Sequence, residues 1–345
     1  MRFDSSLYRI WKKRQNDKAL KRRTARKDKK RRLRRAIQEN NKALKKNPNY
    51  DVELKQYRFE APPNFSIISN PTETLKVFDS LLHYINNNNS SHNEIFVDVD
   101  LVNHLSIDSI MYLLCILNNL NKAKKYHFSG NYPRDAKTKK MFFDSGFNKY
   151  VDSKVPEDIN RQTENIQITS GKNIDTSLAK MITDFIRKKS KTGNSYHYIY
   201  EMMIELMGNT WKHAYEGDIS DLFDTCWYCY VETDNEKAKI TFMDTGIGIP
   251  KSIHKRMSEK IDVFGFHKDS EYIASALRGE GRTETQLSNR GKGLPFFVEI
   301  VNDSYIEKIR IVSLKGDVCV EKNNIVKTEI DKSFYGTLYY WEVIL

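Results

Sequence analysis

Long apolar runs are missing from this chain of 345 residues. No stretch approaches the roughly 18 apolar residues that a membrane-spanning helix needs. The opening residues Met1, Arg2, Phe3 and Asp4 also lack the apolar core of a secretory leader. A cytoplasmic protein is the expectation. Cysteine is scarce: Cys115, Cys226, Cys229 and Cys319 are too few and too scattered for a disulfide framework. Cys226 and Cys229 do form a CxxC, but within an aromatic stretch that reads as a strand. Residues three apart on a strand face opposite sides, and no second Cys or His pair is near to complete a zinc site. Proline and glycine are absent up to Pro48. No internal repeat is visible.

What is present is unevenly distributed. The chain carries a formal charge of +12, yet residues 1–48 hold 20 Lys and Arg against 4 Asp and Glu, a net of +16. The other 297 residues therefore carry −4. Sparse apolar positions such as Leu7, Trp11, Leu20 and Leu33 cannot build a core, so residues 1–48 read as a basic arm, disordered or helical, ordered by a partner. Nucleic acid is the favoured partner, with phosphate neutralisation dominating. An anionic membrane surface also attracts polybasic segments, and an unengaged solvated tail is the third possibility.

Pro48 to Pro63 reads as a connector. Residues 64–155 then alternate between strand and helix patterns: Phe65 to Ile68, a helix from Pro71 to Ile85 with Leu75, Phe78, Leu81, Leu82 and Ile85 apolar, and Glu94 to Val99. An apolar helix from Asp108 to Leu120, a strand at Tyr126 to Phe128 and a helix from Ala136 to Phe143 follow. Such alternation implies helices packed on a sheet.

Residues 165–345 read as a second α/β domain, with strands at Asn165 to Thr169, Asp224 to Glu232, Ala238 to Asp244, Lys308 to Leu314 and Thr337 to Ile344. Helices are expected from Ile174 to Arg187, Tyr196 to Tyr215 and Pro295 to Val301. Three clusters stand out here. Glu205 and Asn209, four apart, project from one helix face; such a pair could activate water and hold a metal. A glutamate in so apolar a helix is costly to bury unless paired or solvated in a pocket, although a solvated helix-face acid is the bland alternative. Asp244 ends the apolar strand Ile240 to Met243 and is followed by Gly246 and Gly248. A carboxylate there can accept a hydrogen bond from a base while the glycines let it come close. Gly291 and Gly293 precede a helix and offer bare N–H groups to phosphates. Together these clusters describe a nucleotide pocket.

Their order and spacing resemble the GHKL ATPase superfamily, which includes type II topoisomerases, the ninety-kilodalton heat-shock chaperone, sensor histidine kinases and MutL-type repair proteins. The resemblance covers roughly residues 174–345. Glu205 and Asn209 match its N box, Asp244, Gly246 and Gly248 its G1 box, and Gly291, Lys292, Gly293 and Leu294 its G2 box. Gly336 and Thr337 match the Gly-Thr pair of its last strand. The resemblance implies an α+β sandwich of GHKL (Bergerat) type that binds ATP and Mg²⁺. Asp244 would accept the adenine amine, Thr337 would reach the base through a water, Glu205 would polarise the attacking water, and Asn209 would bind Mg²⁺. Lys212 would reach phosphates or remain a solvated helix-end cation. Residues 250–290 correspond to the ATP lid, with Arg278, Arg282 and Arg290 as phosphate-end cations or solvated loop residues. Pro295, where the family often continues with another glycine, removes one N–H from the phosphate end.

The order of elements in residues 64–155 resembles the smaller STAS domain, an α/β fold. Its functional step would be Asp108, Ser109, Ile110 and Met111, but the usual second serine is Ile110, which argues against regulated phosphorylation there. Ser109 is expected to cap the helix. A protein partner through this domain and a homodimer are further expectations. The combination implies ATP hydrolysis driving a lid-controlled conformational switch. A protein serine kinase of anti-sigma type and a non-hydrolysing ATP-gated binding module are the alternatives. A sensor histidine kinase is disfavoured, because Val155 to Ser190 contains no histidine.

Overall fold

The computed structural model describes residues 56–87, 94–122, 126–151, 163–191, 196–213, 226–256, 268–280, 293–303 and 305–345. The basic arm lies outside them. The fold is mixed α/β.

The first lobe is built on a three-stranded parallel sheet of β1 (Gln56–Glu60), β3 (Glu94–Asp98) and β5 (His127–Gly130), in the order β1-β3-β5. A second parallel pair joins β2 (Asn64–Phe65) to β4 (His104–Leu105). Helices α1 (Pro71–Asn87), α2 (Ile107–Lys122) and α3 (Ala136–Asp144) complete the lobe. Helix α1 buries Leu75, Phe78, Leu81, Leu82 and Ile85, the stripe that its sequence spacing requires. Two expectations are corrected. Residues 56–60 are a sheet strand rather than connector: Phe59 is buried while Arg58 pairs with Asp98 across the sheet. The strand expected at Phe65 to Ile68 is shortened to β2, because Asn70 N–H turns back to the Ser66 carbonyl at 3.0 Å ahead of α1.

The second lobe is a five-stranded sheet in the order β6-β7-β8-β10-β9. Its strands are β6 (Ile166–Gly171), β7 (Trp227–Thr233), β8 (Lys237–Asp244), β9 (Ile309–Glu321) and β10 (Asn324–Ile344), all paired antiparallel. One face is covered by α4 (Thr176–Lys189), α5 (His197–His213), α6 (Ile249–Arg256), α7 (Asp269–Leu277) and α8 (Pro295–Asn302), which share an apolar core with it. Trp227, Cys229, Val231, Ile240, Phe242, Tyr339 and Trp341 point into that core. The opposite face is equally apolar. Cys226, Tyr228, Tyr230, Met243, Val312 and Leu338 point away from the helices and join the core of the first lobe. The two cysteines of the CxxC thus face opposite sides, as period-2 alternation demands.

The described residues from 56 to 345 therefore pack as one compact unit. Polar contacts tie its halves together. The Arg310 guanidinium pairs with Asp317 and donates to the Ile68 carbonyl oxygen at 2.5 Å, and Lys332 pairs with Asp79 at 2.7 Å. Among the described residues, no helix is long and apolar enough to cross a membrane.

Helix α7 also departs from expectation. Within the stretch read as a polar lid, Tyr272, Ile273, Ala276 and Leu277 recur at helical spacing and are buried against β9. Its start is pinned by Ser270 N–H to Glu329 (2.8 Å) and by Lys315 N–H to Asp269 (2.9 Å). Gly316 permits the close approach, since a β-carbon there would lie 2.6 Å from the Ser270 nitrogen. Residues 269–277 are framework; 257–267 and 281–292 lie outside the described residues.

Candidate functional site

The end of β8 places Asp244 between two strands, opposite Trp227 of β7 and Thr337 of β10. Apolar neighbours Ile240, Phe242 and Met243 bury the strand, and its last side chain is carried in with them; Asp244 is 9% exposed. Its Oδ1 accepts the Gly246 N–H at 2.9 Å. Burial pushes its carboxyl up to about 6, against the opposing support of the Gly246 N–H and the Thr337 hydroxyl. Among the described residues, no cation contributes to that balance. A buried carboxylate without a counter-charge is expensive, and a polar ligand that donates to its free lone pairs would relieve the cost.

The turn after Asp244 is held tightly. Thr245 N–H donates to the Cys226 carbonyl at 3.0 Å, and the Thr245 hydroxyl accepts the Cys226 N–H at 3.0 Å. Gly248 has φ +86°, where a side chain would also crowd the Ser313 hydroxyl. Ser313 organises this corner. Its Oγ donates to the Gly336 carbonyl at 2.7 Å and accepts the Ile249 N–H at 3.1 Å. Asp244, Gly246, Gly248 and Thr337 are thereby brought together.

Glu205 and Asn209 stand on α5, half-buried and one turn apart, on the sheet face that carries Asp244. Tyr339, which follows Thr337 by two residues and shares its face, links the two regions. Its phenol is buried and its pKa is raised well above the ordinary value, by burial first and then by the charges of Asp244 and Glu205. Its ring packs edge-on against Phe242 and against Phe297 of α8. Gly293 (φ +71°) and Leu294 lead into α8, with Pro295 in its first turn. The Phe296 N–H turns back to the Gly293 carbonyl at 3.1 Å. Gly291 and Lys292 lie outside the described residues, as does the side chain of Lys212. So do Arg282 and Arg290, while Arg278 is paired with Glu280.

Sequence reasoning missed Ser313 and Tyr339. The alternation from Thr337 was the available signal for Tyr339; none pointed to Ser313, whose role depends on strand pairing. In the first lobe the expected helix cap is corrected. Helix α2 begins at Ile107, so Ser109 lies inside its first turn and donates to Asp108 Oδ1 at 2.9 Å. Asp108 is fully buried and accepts the Ile67 N–H at 2.7 Å; burial raises its pKa. Ile110 is buried as well.

Two cavities lie away from Asp244. One of about 390 Å³ is lined by Ile68, Arg310, Asp317 and Tyr340, and one of about 530 Å³ runs along α4 at Met181 and Phe185. Neither carries an uncompensated buried charge, so Asp244 remains the stronger candidate. Among the described residues, no group of three or more His, Cys, Asp or Glu could hold a metal ion. The sequence matches no family model and no curated protein.

Proposed function

We propose that residues 165–345 form a GHKL-type domain that binds ATP with Mg²⁺ and hydrolyses it, and that residues 64–155 are a STAS-like lobe docked on its sheet. The observation that carries this reading is the buried carboxylate of Asp244, held by Gly246 and Thr337 at a glycine-opened strand end, with no cation beside it among the described residues. An adenine amine is the kind of donor that it lacks. Guanine would present a carbonyl oxygen at the same place, so two acceptors would face each other and adenine is selected.

The donor set also fits Mg²⁺ held largely by phosphates. That ion keeps several waters and needs few protein ligands, and Asn209 would supply one carbonyl oxygen. Bound ATP would supply the γ-phosphoryl group, with ADP as the leaving group. Glu205, half-buried on the same helix face, would orient and deprotonate the attacking water. Gly293 and the start of α8 would offer N–H groups to the phosphates, fewer by one because of Pro295. The basic arm, residues 1–48, would contact nucleic acid.

Calorimetric titration of the full chain with MgATP and MgGTP tests the binding, and phosphate release tests the hydrolysis. ATP binding with Asp244→Asn inactive is the expected result. Equal affinity of the variant and the parent, with unchanged circular dichroism, removes the assignment. Binding without phosphate release favours a gated module, and label transfer from γ-labelled ATP to protein favours a kinase.

A further inference from the structure

The irregular stretch Phe334 to Gly336 of β10 connects the Asp244 corner to the first lobe. Pairing between β9 and β10 shifts register on both sides of Phe334, so the regular ladder is interrupted here. The Tyr335 N–H is taken up by the first lobe: it donates to the Tyr112 hydroxyl of α2 at 3.3 Å. The Tyr112 ring lies 4.6 Å from the Phe334 ring and 4.7 Å, edge-on, from Phe78 of α1. Tyr112 is fully buried. One residue further along, the Gly336 carbonyl holds Ser313, and the Gly336 backbone presses on Asp244. Thr337 then supports the Asp244 carboxylate.

We propose that Tyr112 is a positioning residue for the Asp244–Thr337 pair, through which the first lobe sets the adenine selectivity of the nucleotide site. The inference rests on the reading of Asp244 as the acceptor of the base. The phenol clamps a segment of β10 in which the ladder with β9 is interrupted. That segment leads directly into Thr337, whose hydroxyl supports the carboxylate. Releasing the clamp lets Thr337 and Asp244 drift from the geometry that separates an amine from a carbonyl oxygen, while contacts to phosphates are untouched. Nucleotide binding and docking of the first lobe are thereby coupled, and coupling of this kind is reciprocal.

The test uses the full chain. Tyr112→Phe keeps both ring contacts and deletes only the hydroxyl that accepts the Tyr335 N–H. Titrated with MgATP and MgGTP, it is expected to bind ATP about threefold or more weakly, within the range of one lost hydrogen bond. GTP affinity should stay the same, so that the ATP-to-GTP ratio narrows. A lowered melting temperature with an unchanged ratio means a purely structural role and overturns the inference. No ATP binding by the parent chain overturns the inference together with the base-acceptor reading, and is recognised because the parent itself fails. If Tyr112→Phe does not fold, hydrogen exchange of the parent decides. ATP should slow exchange of the Tyr335 amide; unchanged exchange at saturating ATP removes the clamp and leaves the Asp244 reading standing.

Discussion

Gly336 stands against Asp244: a β-carbon on residue 336 would lie 2.0 Å from the Asp244 carbonyl oxygen. Its φ of +113° is also one that side chains rarely adopt. Gly336→Ala should therefore cost about 2–5 kcal/mol, the sum of backbone strain and overpacking. Gly208→Ala is the contrast. That glycine sits inside α5 between Glu205 and Asn209, and an added methyl would meet Ile174 at an ordinary 3.6 Å. It should be neutral or stabilise by up to about 1 kcal/mol through helix propensity. Urea unfolding of the two variants checks the pair, and similar midpoints would contradict the close approach at Gly336.

Asp244→Asn should stabilise the nucleotide-free protein while abolishing adenine binding. The native carboxyl titrates at about 6 against an ordinary 3.8, so the folded chain holds this proton more tightly than the unfolded one. Its contribution is most favourable below about pH 4 and is lost as pH rises through about 6, a change of about 3 kcal/mol. The asparagine variant does not titrate. Its melting temperature should exceed that of the parent at pH 7.5, and the gap should close toward pH 4. A pH-independent gap would mean that the carboxyl is not strained by burial.

Glu205→Ala should keep ATP affinity and lose turnover by about 10²- to 10⁴-fold, the usual worth of a positioned general base. Asn209→Ala should weaken binding in the presence of Mg²⁺ more than in its absence. Phosphate release and calorimetry with and without Mg²⁺ separate the two roles. Equal loss of binding in both variants would instead indicate that α5 is misplaced.

Removal of residues 1–48 should abolish nucleic-acid binding and leave ATP binding intact. For the full chain, log K should fall linearly with log of salt concentration, with a slope of about 0.7–0.9 per contacted phosphate. Filter binding of RNA and DNA across a salt series measures this. Equal affinity of the truncated and full chains at moderate salt would remove the arm from the interaction.

Elements whose pattern is local were legible in the sequence. The stripe Leu75, Phe78, Leu81, Leu82 and Ile85 announced α1 through its helical period, and the short apolar run Ile240 to Met243 ending at Asp244 announced β8. The site motif was legible for the same reason: a carboxylate, two glycines and their spacing are properties of a short segment. Other features depended on partners distant in the chain. Residues 56–60 do alternate polar and aromatic side chains, but the run is only five residues long, and it is pairing with β3 that makes it a sheet strand. Residues 269–277 carry their own helical spacing of Tyr272, Ile273, Ala276 and Leu277, but that they form a buried framework helix depends on β9, where Gly316 lets the helix approach.

The amino-acid sequence by itself determined the division of charge, the helices and strands with clear periodicity, and the order of the Asp244, Glu205 and Gly293 motifs. It also made both faces of the second sheet apolar, without saying what covers them. Only the tertiary structure decided that helices take one face and the first lobe takes the other. It alone brought Ser313 to Gly336, Gly336 to Asp244 and Tyr112 to Tyr335. Those contacts join residues from 23 to 223 positions apart along the chain. No local periodicity encodes such pairs; they arise when two apolar sheet faces are both buried at once.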